Sequence, residues 1–270
     1  MTFGPVFYIL VNFFSTFSGF VVKATSSEMS NSAVVRQETV QKPIDSNSRI
    51  IYLSFDDGPL MGTSNCIDVC TRENVAATFF EVGWHQSRSV FGKKLYNQIA
   101  QKSNLFLIAN HSFTHANGNY IHFYHHPDSA LLDFLMAKKV LKTNNNITRL
   151  PGNNAWNLQD NKRASGFARP VVNKLDSVGF NIIGWDLQWR FNKKGRPVQS
   201  PEEMAMNVDS LFYHHQTVTK NNLVILMHDH MFRAPEDSTK LETFLKLLKQ
   251  RKHYTFEKLT SYPGLKPNTD

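Results

Sequence analysis

From Arg49 onward, short apolar or β-branched runs alternate with longer segments in which apolar residues recur at helical spacing. Seven runs are predicted strands: IIYLSF (50–55), AATFF (76–80), LFLIAN (105–110), TRL (148–150), FNIIGW (180–185), NLVILMH (222–228) and YTF (254–256). Six segments are predicted helices: 63–73, 88–102, 128–142, 167–178, 201–216 and 238–251. This alternation is typical of a parallel α/β fold. We predict a closed or nearly closed β/α barrel of about seven strands, with functional side chains at the carboxyl ends of the strands.

The first 47 residues do not follow this alternation. Residues 3–22 contain no charged side chain, and Val22 and Ala24 are small residues at the positions that a signal peptidase reads. Because no Lys or Arg precedes this run and it is long enough to span a bilayer, residues 1–24 are predicted to be a signal peptide or a membrane anchor. Residues 25–47 have the composition of a polar linker. The folded domain is expected at 48–270, exported to a periplasm, a cell envelope or the extracellular space.

Composition limits the class of protein without identifying a partner. A chain of 270 residues suits one large domain, and 41% hydrophobic against 19% charged residues excludes a wholly disordered chain. The net charge of +8 suits a nucleic acid, an anionic membrane or an acidic polymer. Since Lys and Arg are dispersed and no binding motif is present, we expect no nucleic-acid partner. Cys66 and Cys70 lie one helical turn apart and are predicted to be buried thiols without a disulfide.

Two adjacent carboxylates, Asp56 and Asp57, end the first predicted strand and precede a Gly-Pro turn. Because neighbouring carboxylates repel each other, the pair favours a bound metal with one Asp as ligand and the other as general base. The alternative is a helix N-cap or an Asx-turn, for which Asp before Gly-Pro is ordinary.

The third predicted strand leads into His111 and His115, whose i,i+4 spacing on one helical turn lets both imidazoles reach one ion. A zinc peptidase is disfavoured because Ser112 stands where that class needs a Glu. With 11 His in the chain, such pairs also arise by chance. Together with an Asp, however, the two His make a three-ligand set that leaves positions open for water and substrate, as catalytic zinc requires.

Five segments in this order resemble the motifs of the polysaccharide deacetylases of carbohydrate esterase family 4, the NodB-homology group. They are FDDGP (55–59), HSFTH (111–115), RLPG (149–152), WDLQW (185–189) and LMHD (226–229). The resemblance implies a distorted (β/α) barrel and a hydrolase that removes N-acetyl groups from an acetylated glycan such as peptidoglycan, poly-N-acetylglucosamine or chitin. It also implies a divalent metal held by Asp57, His111 and His115, with zinc expected first and Co²⁺, Ni²⁺ or Mn²⁺ as alternatives.

The resemblance assigns roles to four further residues. Asp56 would be the general base that activates a water on the metal. His228, at the end of an apolar strand, would be the general acid that protonates the departing nitrogen, since imidazole titrates near working pH. Asp186 would orient His228 and favour its protonated form, and Arg149 would hold Asp56 ionised.

Two motifs depart from the family pattern. Gly152 follows Pro151 where an aromatic residue is usual, so that wall of the sugar cleft is expected to be missing or provided by Trp156, although the Gly152 N–H can still hold an oxyanion. The second Asp expected before Trp189 is absent, which changes the surroundings of Arg149.

Aromatic and histidine side chains near the motifs are assigned by their position in the predicted strands. We predict that Trp156 and Trp189 line the substrate cleft, whereas Trp185, on an apolar strand, belongs to the core. His230 is expected at the surface.

Other functions use the same residues or none of them. An O-acetyl glycan esterase needs the same ligands, and so does a related hydrolase of small amides, which would have a closed pocket and which export disfavours. A non-enzymatic glycan-binding module should lack the base or the acid, yet Asp56 and His228 are both present. We expect a monomer, with membrane association through residues 3–22 if the segment is retained.

Overall fold

A computed structural model describes residues 48–267, and the predicted export segment (1–24) and linker (25–47) lie outside this range. The strands are β1 (Arg49–Gly58), β2 (Ala77–Glu81), β3 (Phe106–Asn110), β4 (Ile147–Thr148), β5 (Trp156–Asn157), β6 (Lys162–Arg163), β7 (Asn181–Ile182), β8 (Leu187–Gln188), β9 (Asn222–His228) and β10 (Tyr254–Phe256). The helices are α1 (Thr63–Glu73), α2 (Gly83–Arg88), α3 (Val90–Ala100), α4 (Tyr120–His125), α5 (Pro127–Leu141), α6 (Arg169–Ser177), α7 (Pro201–Tyr213) and α8 (Pro235–Lys249). Within 48–267, no helix has the length and apolar character needed to cross a bilayer.

The ten described strands form one curled sheet in the order β6-β5-β7-β4-β3-β2-β1-β9-β8, with β10 also paired to β1. The central strand β1 runs parallel to β2, β9 and β10, and only the pairs made by β5 are antiparallel. Among the described strands, no ladder joins β8 to the opposite edge, so the barrel stays open. The predicted α/β fold is confirmed as a distorted barrel that curls without closing.

The long elements follow the predicted pattern, and the short ones do not. Helix α1 has the predicted bounds, whereas the predicted helix 88–102 forms only over Val90–Ala100, and it begins there because Ser89 has an extended backbone and caps α3 by accepting a hydrogen bond from Gly92 N. The predicted strands 148–150 and 180–185 are replaced by two-residue strands, Ile147–Thr148 and Asn181–Ile182. Helices α2 and α4 and strands β5, β6 and β8 are absent from the prediction because elements of two to six residues are too short to show a period.

The alternation of side chains along β1 positions the functional residues. Ile51, Leu53 and Phe55 are buried in the core that α1, α7 and α8 cover on one face of the sheet. Because alternate residues of a strand point to opposite faces, Tyr52 faces a second cluster on the concave side, and Asp56 continues its row. Cys66 and Cys70 are buried free thiols in the first core, as predicted.

Candidate metal centre and active site

A bulge at the end of β1 turns Asp56 and Asp57 toward the same imidazole. The register between β1 and β2 shifts between Asp56 and Gly58, and Asp57 has a left-handed backbone with φ 74°, which Asp tolerates better than most residues. His111 Nε2 lies 3.6 Å from Asp56 Oδ2 and 3.4 Å from Asp57 Oδ1. A regular strand would place neighbouring carboxylates on opposite faces of the sheet, so the bulge is what brings the two carboxylates into one site.

Asp57, His111 and His115 form a convergent three-ligand set. Their ligand atoms all lie within 4.8 Å of one another, and His115 Nε2 lies 3.1 Å from Asp57 Oδ1. That oxygen is buried and has no hydrogen-bond partner among residues 48–267. A carboxylate oxygen and two imidazole nitrogens aimed at one point are the donors that a divalent transition metal prefers, so these residues fit such an ion.

The two histidines lie on an irregular turn, and the expected helical turn is wrong. Ser112 and His115 have left-handed backbones with φ 67° and 53°. Side chains hold the turn in place: Asn110 Oδ1 accepts a hydrogen bond from Ser112 N at 2.8 Å, and Ser112 Oγ accepts one from His115 N at 2.9 Å. His111 Nδ1 lies 2.9 Å from the Arg149 carbonyl oxygen, which fixes the tautomer whose Nε2 lone pair faces the site.

The charges of the ligand set favour a cation. Burial by itself raises the pKa of the Asp57 carboxyl, but His111 and His115 beside it lower that pKa well below its usual value. Burial opposes charge on His111, yet Asp56 and Asp57 raise its pKa above the ordinary value. Both effects mean that positive charge at this point is stabilised by the surrounding residues.

Arg149 holds Asp56 in a fully buried ion pair. Its Nη1 donates to Asp56 Oδ1 at 2.8 Å and to Ser54 Oγ at 2.7 Å. The rest of the guanidinium donates to the carbonyl oxygens of Ile183 and Gly184 at 3.1 and 2.8 Å. Arg149 is fully buried and Asp56 is only 3% exposed, so this is not a surface ion pair. This charge-assisted bond fixes the position of the Asp56 carboxyl group.

His228 lies across the strand ladder from Asp56, with which it pairs in register. Its Nε2 is 3.9 Å from Asp57 Oδ2, so it borders the metal set without joining it. Its Nδ1 is buried and has no hydrogen-bond partner, and burial lowers the pKa of the imidazole. The ring packs against Phe191 and His230, with centroids 5.0 and 5.7 Å away.

The structure does not bring Asp186 to His228, and the predicted orienting role is wrong. The two carboxylate oxygens of Asp186 accept hydrogen bonds from the backbone N–H groups of Val218 and Val224, at 2.6 and 2.8 Å. Burial raises the pKa of Asp186 to about 6. The hydrogen bonds of Asp186 therefore join the start of β9 to the segment that precedes β9. The surface position expected for His230 is also wrong, because the chain turns after His228 and places His230 half-buried beside it.

The cleft prediction for Trp156 and Trp189 is wrong, whereas Trp185 packs against the core. Trp156 is 2% exposed and packs against Tyr262, and Trp189 is fully buried with its Nε1 donating to the Gln199 carbonyl at 3.0 Å. Neither can stack on a sugar. Trp185, expected in the core, is partly exposed and lies 5.9 Å from the Arg149 guanidinium.

Tyr120, which the sequence analysis did not single out, provides an aromatic side chain beside Gly152. This is the part of the cleft where the aromatic wall was expected to be missing or provided by Trp156. Tyr120 begins α4, and its ring lies edge-on to His115 with centroids 5.9 Å apart. A Cβ on Gly152 would lie 3.1 Å from the same ring. The only sequence signal was the Gly itself, because its lack of a side chain leaves room for an aromatic ring from elsewhere.

Comparison with known proteins agrees with this geometry. Residues 44–156 match a family model described as polysaccharide deacetylase. A peptidoglycan-N-acetylglucosamine deacetylase of Bacillus cereus is 28% identical over 221 residues, covering 77% of this chain and 68% of that protein. A chitooligosaccharide deacetylase of Rhizobium leguminosarum bv. trifolii is 26% identical over 186 residues, covering 68% and 73%.

The fold is also similar to that of solved enzymes. The catalytic domain of a peptidoglycan N-acetylglucosamine deacetylase from Eubacterium rectale superposes with a TM-score of 0.60 at 26% identity, over 84% of this chain and 95% of that chain. The residues matched by the family model include Asp57, His111 and His115. In its family-model match, its relatives and its fold, the chain is similar to polysaccharide deacetylases, which are hydrolases.

Proposed function

We propose that this protein removes N-acetyl groups from a glycan containing N-acetylglucosamine, in a metal-dependent hydrolysis. The observation that carries the proposal is the convergence of three ligand residues, Asp57, His111 and His115, between two other groups. These are a carboxylate paired with Arg149 and an imidazole on the neighbouring strand. The named activities of the relatives, on peptidoglycan N-acetylglucosamine and on chitooligosaccharide, support the choice of sugar.

Asp56 has the surroundings of a general base. When bound by the three ligands, a divalent ion supplies Lewis acidity that lowers the pKa of water and polarises an acyl oxygen. Asp56 then takes the proton of the attacking water, and Arg149 Nη1 holds the carboxylate in place through its bond to Oδ1. The second oxygen, Oδ2, faces His111 and the metal site.

His228 has the position of a general acid. Hydrolysis of an acetamide places the water oxygen on the acyl carbon and breaks the C–N bond, and the departing nitrogen needs a proton. His228 lies across the ladder from Asp56 and borders the site through its Nε2, so a substrate between them meets the base on one side and the acid on the other. Burial lowers its pKa, which makes the protonated imidazole a stronger donor.

Access to the site suits a polymer. The side chains of Asp57, His115 and His228 are 21%, 25% and 15% exposed, although their functional atoms face the centre. The site therefore opens at the surface of the sheet edge, whereas a small-amide hydrolase would enclose its substrate. A glycan chain can lie across such an opening without being threaded through a tunnel.

Zinc and export form part of the same proposal. Two imidazoles and one carboxylate match zinc, and the same set also accepts other first-row metals. The uncharged run at residues 3–22 and the small residues at 22 and 24 support export, with the catalytic domain at 48–270. N-terminal sequencing of the native protein tests this: a start near Thr25 indicates cleavage, an intact Met1 in the membrane fraction indicates an anchor, and full-length cytoplasmic protein contradicts both.

The functional test separates catalysis from metal binding. Asp56→Asn and His228→Ala should keep the metal and the fold but lose roughly 10²–10⁴-fold in the rate of acetate release from acetylated glycans. Asp68→Asn and His214→Ala, which change exposed residues on α1 and after α7, are the matched controls. Near-full activity of His228→Ala on an N-acetylated glycan would contradict the mechanism.

One observation favours a second candidate, an O-acetyl glycan esterase. His228 has no carboxylate partner on Nδ1, and burial lowers its pKa, so less of it is protonated near neutral pH. An alkoxide leaves with less help from a proton than an amide nitrogen does. If His228→Ala still hydrolyses an O-acetyl ester but no longer hydrolyses an acetamide, the enzyme can carry out both reactions. If the wild type hydrolyses esters alone, the protein is an esterase.

A further inference from the structure

A groove lies beside the metal centre, between the turn after β1 and helix α2. Its volume is about 480 Å³, within the range of about 300–1,000 Å³ that ligand pockets occupy. Met61 lines one side, and Trp84, His85, Arg88 and Phe91 line the other. Neither the motifs nor the proposed mechanism uses these residues.

The groove borders the metal centre. His85 Nδ1 lies 2.7 Å from the backbone carbonyl oxygen of Asp57, and the lining residue Pro59 is two positions beyond Asp57. A glycan chain whose acetylated sugar lies at Asp57 therefore places the sugars on one side of it in the groove. A small substrate would not reach it.

Large apolar side chains are exposed in this groove. Met61 is 72% exposed, Phe91 is 50% exposed and Trp84 is 44% exposed. Trp84 is held in place by an edge-on contact with Phe113, at a centroid distance of 6.0 Å. Exposed aromatic rings fixed in a concave surface are typical of binding sites, and a sugar ring offers them its apolar C–H face.

The groove also carries an unopposed positive charge. The Arg88 guanidinium lies 4.9 Å from the centroid of the Trp84 ring, and none of the ion pairs or hydrogen bonds of residues 48–267 involves its side chain. Among the described residues, no Asp or Glu lines the groove. A guanidinium stacked on an aromatic ring keeps its N–H groups free to bind a carboxylate in bidentate fashion.

We propose that this groove binds a carboxylate-bearing sugar of the substrate chain, next to the sugar that is deacetylated. Trp84 and Phe91 would pack on the ring, and Arg88 would pair with the carboxylate. The inference rests on the proposed function for the glycan and adds that the glycan is anionic. A neutral homopolymer would leave the charge of Arg88 without a partner.

The test compares Arg88→Gln and Trp84→Ala on two oligomers of equal length. One is a peptide-free strand in which N-acetylglucosamine alternates with the carboxylate-bearing N-acetylmuramic acid, and the other is a neutral chitooligomer. Arg88→Gln should raise KM for the anionic strand about 10-fold, as loss of a charge-assisted hydrogen bond predicts, with kcat unchanged and no effect on the neutral oligomer. Trp84→Ala should raise KM for both oligomers. The Arg88 effect should shrink as salt increases.

Matched controls lie outside the groove. Arg169→Gln changes an exposed arginine at the start of α6, and Tyr213→Ala removes a ring that is 74% exposed at the end of α7. Neither should alter KM for either oligomer. An equal effect of Arg88→Gln on both oligomers, or no effect, would overturn the proposal.

A binding measurement separates this inference from the proposed function. Calorimetric titration of the wild type and Arg88→Gln with the anionic strand reports the groove without turnover. Weaker binding by the variant supports the groove even if the wild type releases no acetate, in which case the proposed function alone fails. Equal Kd values for the two proteins, with acetate released normally, would leave the function standing and reject the anionic subsite.

Discussion

Tyr120 packs closely over the backbone of Gly152: a Cβ on Gly152 would lie 3.1 Å from the ring, so a side chain there would push the ring away. The same ring contacts His115 edge-on. The two residues come from different parts of the chain, the start of α4 and the turn after β4. An aromatic side chain therefore lies next to the metal ligands, but it belongs to α4 and not to the turn that contains Gly152.

Gly152→Ala should raise KM for a glycan several-fold, because the new methyl group displaces the half-exposed Tyr120 ring. Gly152 has φ +63°, so the substitution should also cost about 1 kcal/mol in the free energy of unfolding. Gly118→Ala is the matched control, since Gly118 has φ +71° and no atom within 4 Å of its Cβ position. Urea denaturation should show similar losses for both variants, with only Gly152→Ala affecting KM. An unchanged KM would show that Tyr120 is not part of the cleft.

His111→Ala should remove most of the bound metal. The substitution deletes one of the three ligands. It also removes the contact between His111 Nδ1 and the Arg149 carbonyl, which orients the ring. Asp56→Asn should keep the ion, because Asp56 borders the site and does not belong to the ligand set. Metal analysis of the purified variants checks both outcomes, and full occupancy in His111→Ala would contradict the assignment.

Asp186→Asn should affect stability and leave the pH dependence of catalysis unchanged. An amide offers one acceptor oxygen in place of two, so one of the Val218 and Val224 N–H groups loses its partner, at a cost of about 1–3 kcal/mol. Because Asp186 does not contact His228, the basic limb of the kcat/KM profile should stay where it is. A shift of that limb without loss of stability would restore the orienting role that the motif implied.

Stability should fall as pH rises through the slightly acidic range because of Asp229. Asp229 is fully buried near Glu81, and burial raises its pKa to about 7, against about 3.9 in an unfolded chain. Between these pH values the folded protein keeps a proton that the unfolded chain releases, so rising pH favours unfolding by up to about 1.4 kcal/mol per pH unit.

Asp229→Asn removes this titrating group and should flatten the curve. Urea denaturation at pH 5, 6 and 7 gives the free energy of unfolding of the wild type and the variant. A chelator is present throughout, so that the metal-ligand residues titrate alike in both proteins. Asp68→Asn, at an exposed position of α1, should retain the wild-type slope. Identical slopes for the wild type and Asp229→Asn would show that Asp229 is ionised in the folded protein.

The sequence by itself determined the long elements and the place of the chemistry. The apolar runs of β1 and β9 and the helical period of α1 predicted their elements, since a local period reports directly on which face is buried. One Asp of the pair 56–57 was expected together with His111 and His115 because the carboxyl ends of parallel strands meet at one edge of a sheet, and the family resemblance pointed to Asp57. The structure places them there.

Only the tertiary structure decided what surrounds those residues. The bulge at Asp57 brings both carboxylates to one imidazole, and Asp186 binds backbone N–H groups of distant residues instead of His228. Whether Trp189 is buried or open depends on what packs over it, and a tryptophan has the same sequence signature in both cases. A local pattern carries no information about partners that lie many residues away, because those contacts exist only once the sheet has curled and its loops have met.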